Sequence, residues 1–219
     1  MKVYLMECPA FPEEICGAAA ATCTDSENYE RSLYHALASG HTSVLEHANF
    51  TFMVEGLSRA AMAQLTRHRL ASFDVQSQRY VKLDKWKAVI PNSISKSSFL
   101  AEADENIRNS MDLYQRMVEA GIPCEDARYV SPQAITTNLV MTMNARELLH
   151  FFSLRTCNRA QWEIRKLADE LLKICKKVAP IIFANAGPGC VTGSCPEKRP
   201  CGHPREKTEW DPEIKEEAE

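Results

Sequence analysis

Between residues 48 and 69 the hydrophobic period changes once, and that change constrains the fold more than any other feature of the chain. Ala48, Phe50, Phe52 and Val54 alternate with His47, Asn49, Thr51 and Met53, a period of two that predicts a half-buried strand. Gly56 closes the run and Ser58 offers a helix N-cap. From Arg59 to Arg69 the residues are good helix formers, with Met62 and Leu65 three apart. A strand that hands over within a few residues to a helix needs both a sheet and a helical layer to bury its two apolar faces. That suits a mixed α+β fold, with strands of the first half packing against helices.

The rest of the chain extends this pattern. Met1 to Glu7 alternates like a short strand, and Tyr80 to Pro91 carries a second strand signal, weakest at Asp84 and Lys85. Ser72 to Gln78 is polar and predicts a departure from helical geometry. From Leu100 to Ala120, Ile107, Met111, Tyr114 and Val118 follow helical spacing, and Gly121 and Pro123 supply the stop. Further helices are predicted over 144–155 and 160–178, the latter with a stripe of Ile164, Ala168, Leu171, Cys175 and Val178. The expected fold is therefore α+β: one mixed domain, with an antiparallel or mixed sheet packed against helices and a mostly helical second half. The domain is expected over 1–204. Residues 205–219 hold seven acidic against three basic residues and read as a solvated, disordered tail.

Bulk properties narrow the function. With 45% hydrophobic and 25% charged residues in 219, the chain can bury a core of ordinary size. A formal net charge of −3 offers no broad footprint for a nucleic-acid duplex. No apolar run is long enough to span a membrane or to resemble a secretory signal, so a cytoplasmic protein is expected. The nine cysteines are odd in number and scattered, which fits buried small hydrophobes better than a disulfide framework.

The chemistry concentrates in 67–80, where Arg67, His68, Arg69, Ser72, Ser77 and Arg79 gather three guanidinium forks, an imidazole and two hydroxyls. Arginine stays charged and matches oxyanions with paired donors, so the segment suits a phosphate-bearing ligand. A basic helix end opposing the helix dipole accounts equally well for Arg67 to Arg69 alone. A phosphate grip without chemistry, as in a nucleotide- or RNA-binding module, is the alternative from another class.

The Arg-His-Arg, seven residues, Ser arrangement, with Arg69 and Ser77 on either side of the seven, resembles the signature of flavin-dependent thymidylate synthases. Similarity continues through 41–52, Asp126-Ala127-Arg128, the run from Asn144 to Phe151, and Ala160 to Ile164, in the family's order. The resemblance implies reductive methylation of dUMP to dTMP, with FAD as cofactor, methylenetetrahydrofolate as carbon donor and NADPH as reductant. It places Ser43, Arg67, His68, Arg69, Asn144, Arg146 and His150 at the flavin. Gln64, Arg67, Ser77, Arg79, Arg128 and Arg155 fall at dUMP, and His41 lies on the folate or flavin side of the site. Arg155 takes the catalytic position: a fixed cation beside the uracil favours ionisation at N3 and pushes electron density to C5. The resemblance also implies a homotetramer with shared active sites, and neither a nucleic-acid nor a membrane partner.

Two places stand apart from that pattern. The family often has Asn and Glu where this chain has Asp74 and Val75, removing a side-chain hydrogen-bonding group from the loop. No resident metal is expected, but Cys190, Cys195, Cys201 and His203 form a set of four soft donors able in principle to hold zinc, at a spacing unlike the familiar knuckles.

Overall fold

The computed structural model describes residues 1–211. In chain order the elements are β1 (Lys2–Glu7), α1 (Pro12–Thr24), α2 (Tyr29–Ala38), β2 (Asn49–Ser58), α3 (Arg59–Leu65), β3 (Ala71–Val75), α4 (Asn92–Ser95), α5 (Leu100–Glu119), α6 (Cys124–Ala127), β4 (Thr136–Asn144), α7 (Ala145–Arg155), α8 (Trp162–Val178) and α9 (Gly189–Thr192). Short 3₁₀ turns lie at Thr42–His47, Arg128–Val130 and Lys207–Trp210. The strands form one antiparallel sheet in the order β1-β2-β4-β3, packed with helices, so the fold class is α+β as expected.

In β2, Phe50, Phe52 and Val54 are fully buried. The buried parity then moves to Leu57 across Gly56, whose φ of 75° is one that glycine adopts without strain. Phasing thus changes inside the strand, which continues to Ser58 instead of closing at Gly56. Ser58 caps α3 as the sequence predicts, its side-chain oxygen accepting from Ala61 N at 3.1 Å. Ser58→Ala is expected to lower stability by about 1 kcal/mol in a urea titration, with no change in the denaturant dependence.

Compactness divides the chain into two units. The first holds residues 1–2, 54–67 and 73–140. Its core is built on α5: Met111 and Tyr114 are buried with Ala127 and Ile135, and Leu83, Trp86, Ile107 and Val118 pack on them. The helical stripe read from the sequence is therefore the face that α5 buries. The strand expected over 80–91 is not a strand. Only Ala88 forms an isolated antiparallel bridge, to Ile135. Turn geometry at Asp84 and Lys85 interrupts the ladder, while Leu83 and Trp86 still reach the core.

The second unit holds residues 3–53, 68–72 and 141–211 of the described chain. Helices α1 and α2 approach so closely that a Cβ on Gly17 would stand 2.6 Å from Tyr29 O, so α1 needs glycine there. Three rings, Phe50, Phe152 and Phe183, meet edge to face: Phe183 lies 5.7 Å from Phe50 and 5.9 Å from Phe152 between centroids. Helix α8 buries Ile164, Leu167, Ala168, Leu171, Leu172 and Cys175 along the predicted stripe.

Residues 205–211, placed by composition in a solvated tail, are held against α8. Arg205 Nη1 donates to both carboxylate oxygens of Asp169 at 2.8 and 3.1 Å, and its guanidinium lies 4.4 Å from the ring centre of Trp210. Trp210 is fully buried and donates from Nε1 to Asp169 Oδ1 at 2.8 Å. Trp210 and the ion pairs of Arg205 with Asp169 and Glu209 and of Asp211 with Lys176 outweigh the acidic composition of this segment. The remainder of the expected tail, 212–219, lies outside the described residues.

Candidate functional site

Helix α3 stops at Leu65, four residues before Arg69, with the Thr66 hydroxyl donating back to Met62 O at 3.2 Å. The Arg-His-Arg run therefore lies beyond the helix rather than on its last turn, and the polar segment after it enters β3. Release from helical geometry lets neighbouring residues separate: Arg67 and Arg69 are exposed, while His68 turns inward to 6% exposure.

In the second unit, His68 meets α7. Its Nδ1 lies 3.0 Å from Glu147 Oε1, and Arg155 Nε donates to its Nε2 at 3.0 Å. Asn144 opens α7 as its N-cap, the side chain accepting from Glu147 N at 2.9 Å. Glu147, on the first turn, and Arg155, the last residue, thus converge on one imidazole. Phe151 packs edge-on against that imidazole at 4.9 Å, and the ring of exposed His150 lies 6.0 Å away. Burial pushes the His68 pKa below the ordinary histidine value and outweighs the hydrogen bond to Glu147, which raises it; Arg155 and His150 add to the lowering.

His68, Glu147 and His150 form the one group among the described residues whose ligand atoms converge as a metal site would require. Arg155, however, occupies the Nε2 lone pair and Glu147 faces Nδ1, so binding an ion through His68 would break one of these bonds beside a fixed cation. The arrangement is a hydrogen-bonded relay. Cys190, Cys195, Cys201 and His203 do line one cavity of about 550 Å³. Their donors do not converge: Cys201 Sγ accepts from His203 N at 3.4 Å and Cys190 Sγ from Arg205 N at 3.5 Å.

The other expected residues of this unit are at its surface. Arg146 pairs through Nη1 with Glu46 Oε1, both about half exposed. Ser43 and His41 are exposed and line a cavity with Arg31 and His35 from α2.

The first unit holds the remaining arginines. Arg79 Nε donates to Glu125 Oε2 at 2.7 Å across an exposed pair. Arg128 donates from Nε to Glu125 O at 3.0 Å and lines a shallow cavity with Arg59, Gln78, Tyr129 and Ser131. Arg59 is pushed below the usual arginine pKa by burial first and by the charge of Arg128 second. Two like charges facing one cavity suit an oxyanion. Ser77 is half-buried, its Oγ accepting from Arg79 N at 3.2 Å, and Gln64 is half-buried on α3. Asp74 and Val75 both lie on β3, Asp74 exposed and Val75 half-buried.

Sequence reasoning missed Glu147, Glu46, Glu125 and Arg59, all of them partners or neighbours of residues it identified. Glu147 carried a signal, the Asn-x-x-Glu spacing of a capped helix start with an acid at its third position. Here the carboxylate turns to His68 instead of back to the cap.

A family model described as thymidylate synthase complementing protein matches residues 5–181. The chain belongs to the thymidylate synthase complementing protein family. Family members similar to this chain include a protein of Geobacter sulfurreducens, 47% identical over 212 residues that cover 90% of this chain and 91% of that one. A second, from Clostridium tetani, is 42% identical over 226 residues, with 90% and 91% covered. A third, from Pyrococcus furiosus, is 47% identical over 184 residues, covering 79% and 75%. All three are named flavin-dependent thymidylate synthase. No helix among the described residues of this family member is long and apolar enough to cross a membrane.

Proposed function

We propose that this family member is a flavin-dependent thymidylate synthase that converts dUMP to dTMP with FAD, taking its carbon from methylenetetrahydrofolate and its hydride from NADPH. The observation that carries the reading is the Arg155–His68–Glu147 chain, which fixes a cation at the end of α7 in a protein whose relatives bear that name. A rigidly held guanidinium stabilises negative charge as it develops on a pyrimidine without reorganising during the step. Arg155, held through Nε by His68, is assigned to the uracil N3–C4 edge.

Ser77, Arg79 and Arg128, with Gln64 and Arg67, are assigned to dUMP. A phosphate entering beside Arg79 takes over a guanidinium that pairs with Glu125, an exchange between exposed partners and therefore an inexpensive one. Exposed Arg69, Arg146 and His150, with Arg67, Ser43 and Asn144, are assigned to the flavin; the guanidinium groups of Arg67, Arg69 and Arg146 suit its pyrophosphate. His41 is assigned near that site. His68, assigned to the flavin by resemblance alone, is buried with both ring nitrogens engaged, so its part is to hold Arg155 beside the cofactor. The flavin supplies the redox chemistry when bound, and the chain's residues bind, orient and exclude water. A cytoplasmic homotetramer in which more than one subunit completes each site accompanies this reading.

Purified protein is expected to take up FAD and turn yellow; protein that stays colourless after reconstitution would refute the assignment. Arg79→Ala is expected to raise the dUMP dissociation constant by roughly tenfold, the loss of one charge-assisted phosphate contact, while FAD content stays at the wild-type level. Isothermal titration with dUMP, alongside the flavin absorbance, reads both.

A further inference from the structure

Glu147 is a carboxylate at 5% exposure, and the assigned roles leave it without a task. Burying a carboxylate is costly unless it makes strong hydrogen bonds, so its placement calls for a reason. We propose that Glu147 is a positioning residue for Arg155, acting through His68 by selecting the imidazole tautomer that can hold the guanidinium. The proposal deepens the thymidylate synthase reading and rests on it for the reaction, though not for the tautomer.

The argument follows from which atoms can donate. Arg155 Nε carries a hydrogen at any relevant pH, so its 3.0 Å bond to His68 Nε2 requires a lone pair on that nitrogen. In a neutral imidazole the single N–H then sits on Nδ1, where Glu147 Oε1 accepts it at 3.0 Å. The opposite tautomer would set N–H against N–H at Arg155 and a lone pair against the carboxylate. A carboxylate can only accept, so Glu147 disfavours that tautomer at one end and Arg155 at the other. The side chains of His68 and Glu147 are 4% and 6% exposed, which keeps water from substituting for either partner. The Asn144 cap holds the backbone of Glu147, and Phe151 packs on the ring edge.

The pH dependence has a definite sign. Three charged or titratable groups act on His68: Glu147, which favours its cation, and Arg155 and His150, which oppose it. Together with burial the balance is a lowered pKa, so the folded protein binds the proton less well than the unfolded chain. The relay's contribution is fully present above the unfolded histidine value of about 6.5 and is lost as pH falls through the lowered folded value. A doubly protonated ring has no lone pair left for Arg155.

The test uses Glu147→Leu, which removes the acceptor at similar size, and Glu147→Gln, which keeps an acceptor but adds donors able to satisfy the wrong tautomer. In dTMP assays, kcat is expected to fall by about 10- to 100-fold in Glu147→Leu and by less in Glu147→Gln, with the KM for dUMP and the FAD content held within about twofold. The acid limb of kcat should move to lower pH in Glu147→Leu, because the carboxylate that favours protonation of His68 is gone. Nitrogen-15 NMR of the wild-type protein should show His68 protonated at Nδ1 alone, and the leucine variant a mixture of tautomers.

A wild-type ring protonated at Nε2 would overturn the proposal. So would unchanged kcat in Glu147→Leu, or a fall in kcat accompanied by equal losses of dUMP binding, FAD and thermal stability, the signature of a merely structural role. Should the leucine variant not fold, the same comparisons in Glu147→Gln decide. Wild-type protein that makes no dTMP would refute the reaction, and the NMR result alone would then decide whether the relay exists.

Discussion

Replacing Arg155 with alanine is expected to lower kcat for dTMP formation by about 10²- to 10³-fold, the scale of losing one preorganised donor to a developing anion. The KM for dUMP should change far less, because the phosphate contacts assigned to Ser77, Arg79 and Arg128 do not include this side chain. FAD binding should persist. Steady-state kinetics with dUMP varied, together with the flavin spectrum, measures all three. The contrast with Arg79→Ala gives the experiment its force: one arginine is removed from binding and the other from turnover. Equal losses in both variants would contradict the division of labour between the segment at 77–79 and the end of α7. Removing Arg155 also leaves His68 Nε2 without this donor in a buried place, so part of the effect is expected to reach the relay itself.

The second large effect is on stability. Phe183→Ala is expected to cost about 3–5 kcal/mol, the range for truncating a buried aromatic ring. Phe183 is fully buried, with edge-to-face contacts to Phe50 on β2 and Phe152 on α7, so its loss opens a cavity where strand and helix meet within the second unit. A urea midpoint lowered without a change in slope would match; a change below about 1 kcal/mol would show that the surrounding rings collapse into the space. Since α7 carries Asn144, Glu147 and Arg155 on or beside it, this packing also holds the relay in register.

How much of this could be read from the chain depended on whether the deciding interaction was local. The strand at Phe50 to Val54, the Ser58 cap and the stripe of α5 rest on period and capping, and these stand in the structure as the residues dictate. Strand β4, where Leu139, Met141 and Met143 alternate, lies outside the expected strands, in a half of the chain whose other signals are helical. The expected strand at 80–91 drew on apolar residues that pack against α5 without needing a ladder.

For the site, the sequence pointed to the arginines, histidines and hydroxyls but not to their acidic partners. Glu46 stands a hundred residues from Arg146, and Glu147 stands 79 from His68. Separations of that size leave no trace in spacing. The tail shows the same limit: composition favoured solvation for residues 205–211, while Arg205 and Trp210 close on Asp169, a contact visible only after folding.

The most direct test of the central claim is to mix the purified protein with FAD, NADPH, dUMP and methylenetetrahydrofolate, and to follow dTMP by chromatography as each component is withheld in turn. Formation of dTMP that stops when dUMP, the folate or the reductant is left out, and that depends on bound flavin, is the predicted result. NADPH oxidation that proceeds without dTMP and is indifferent to dUMP would contradict it.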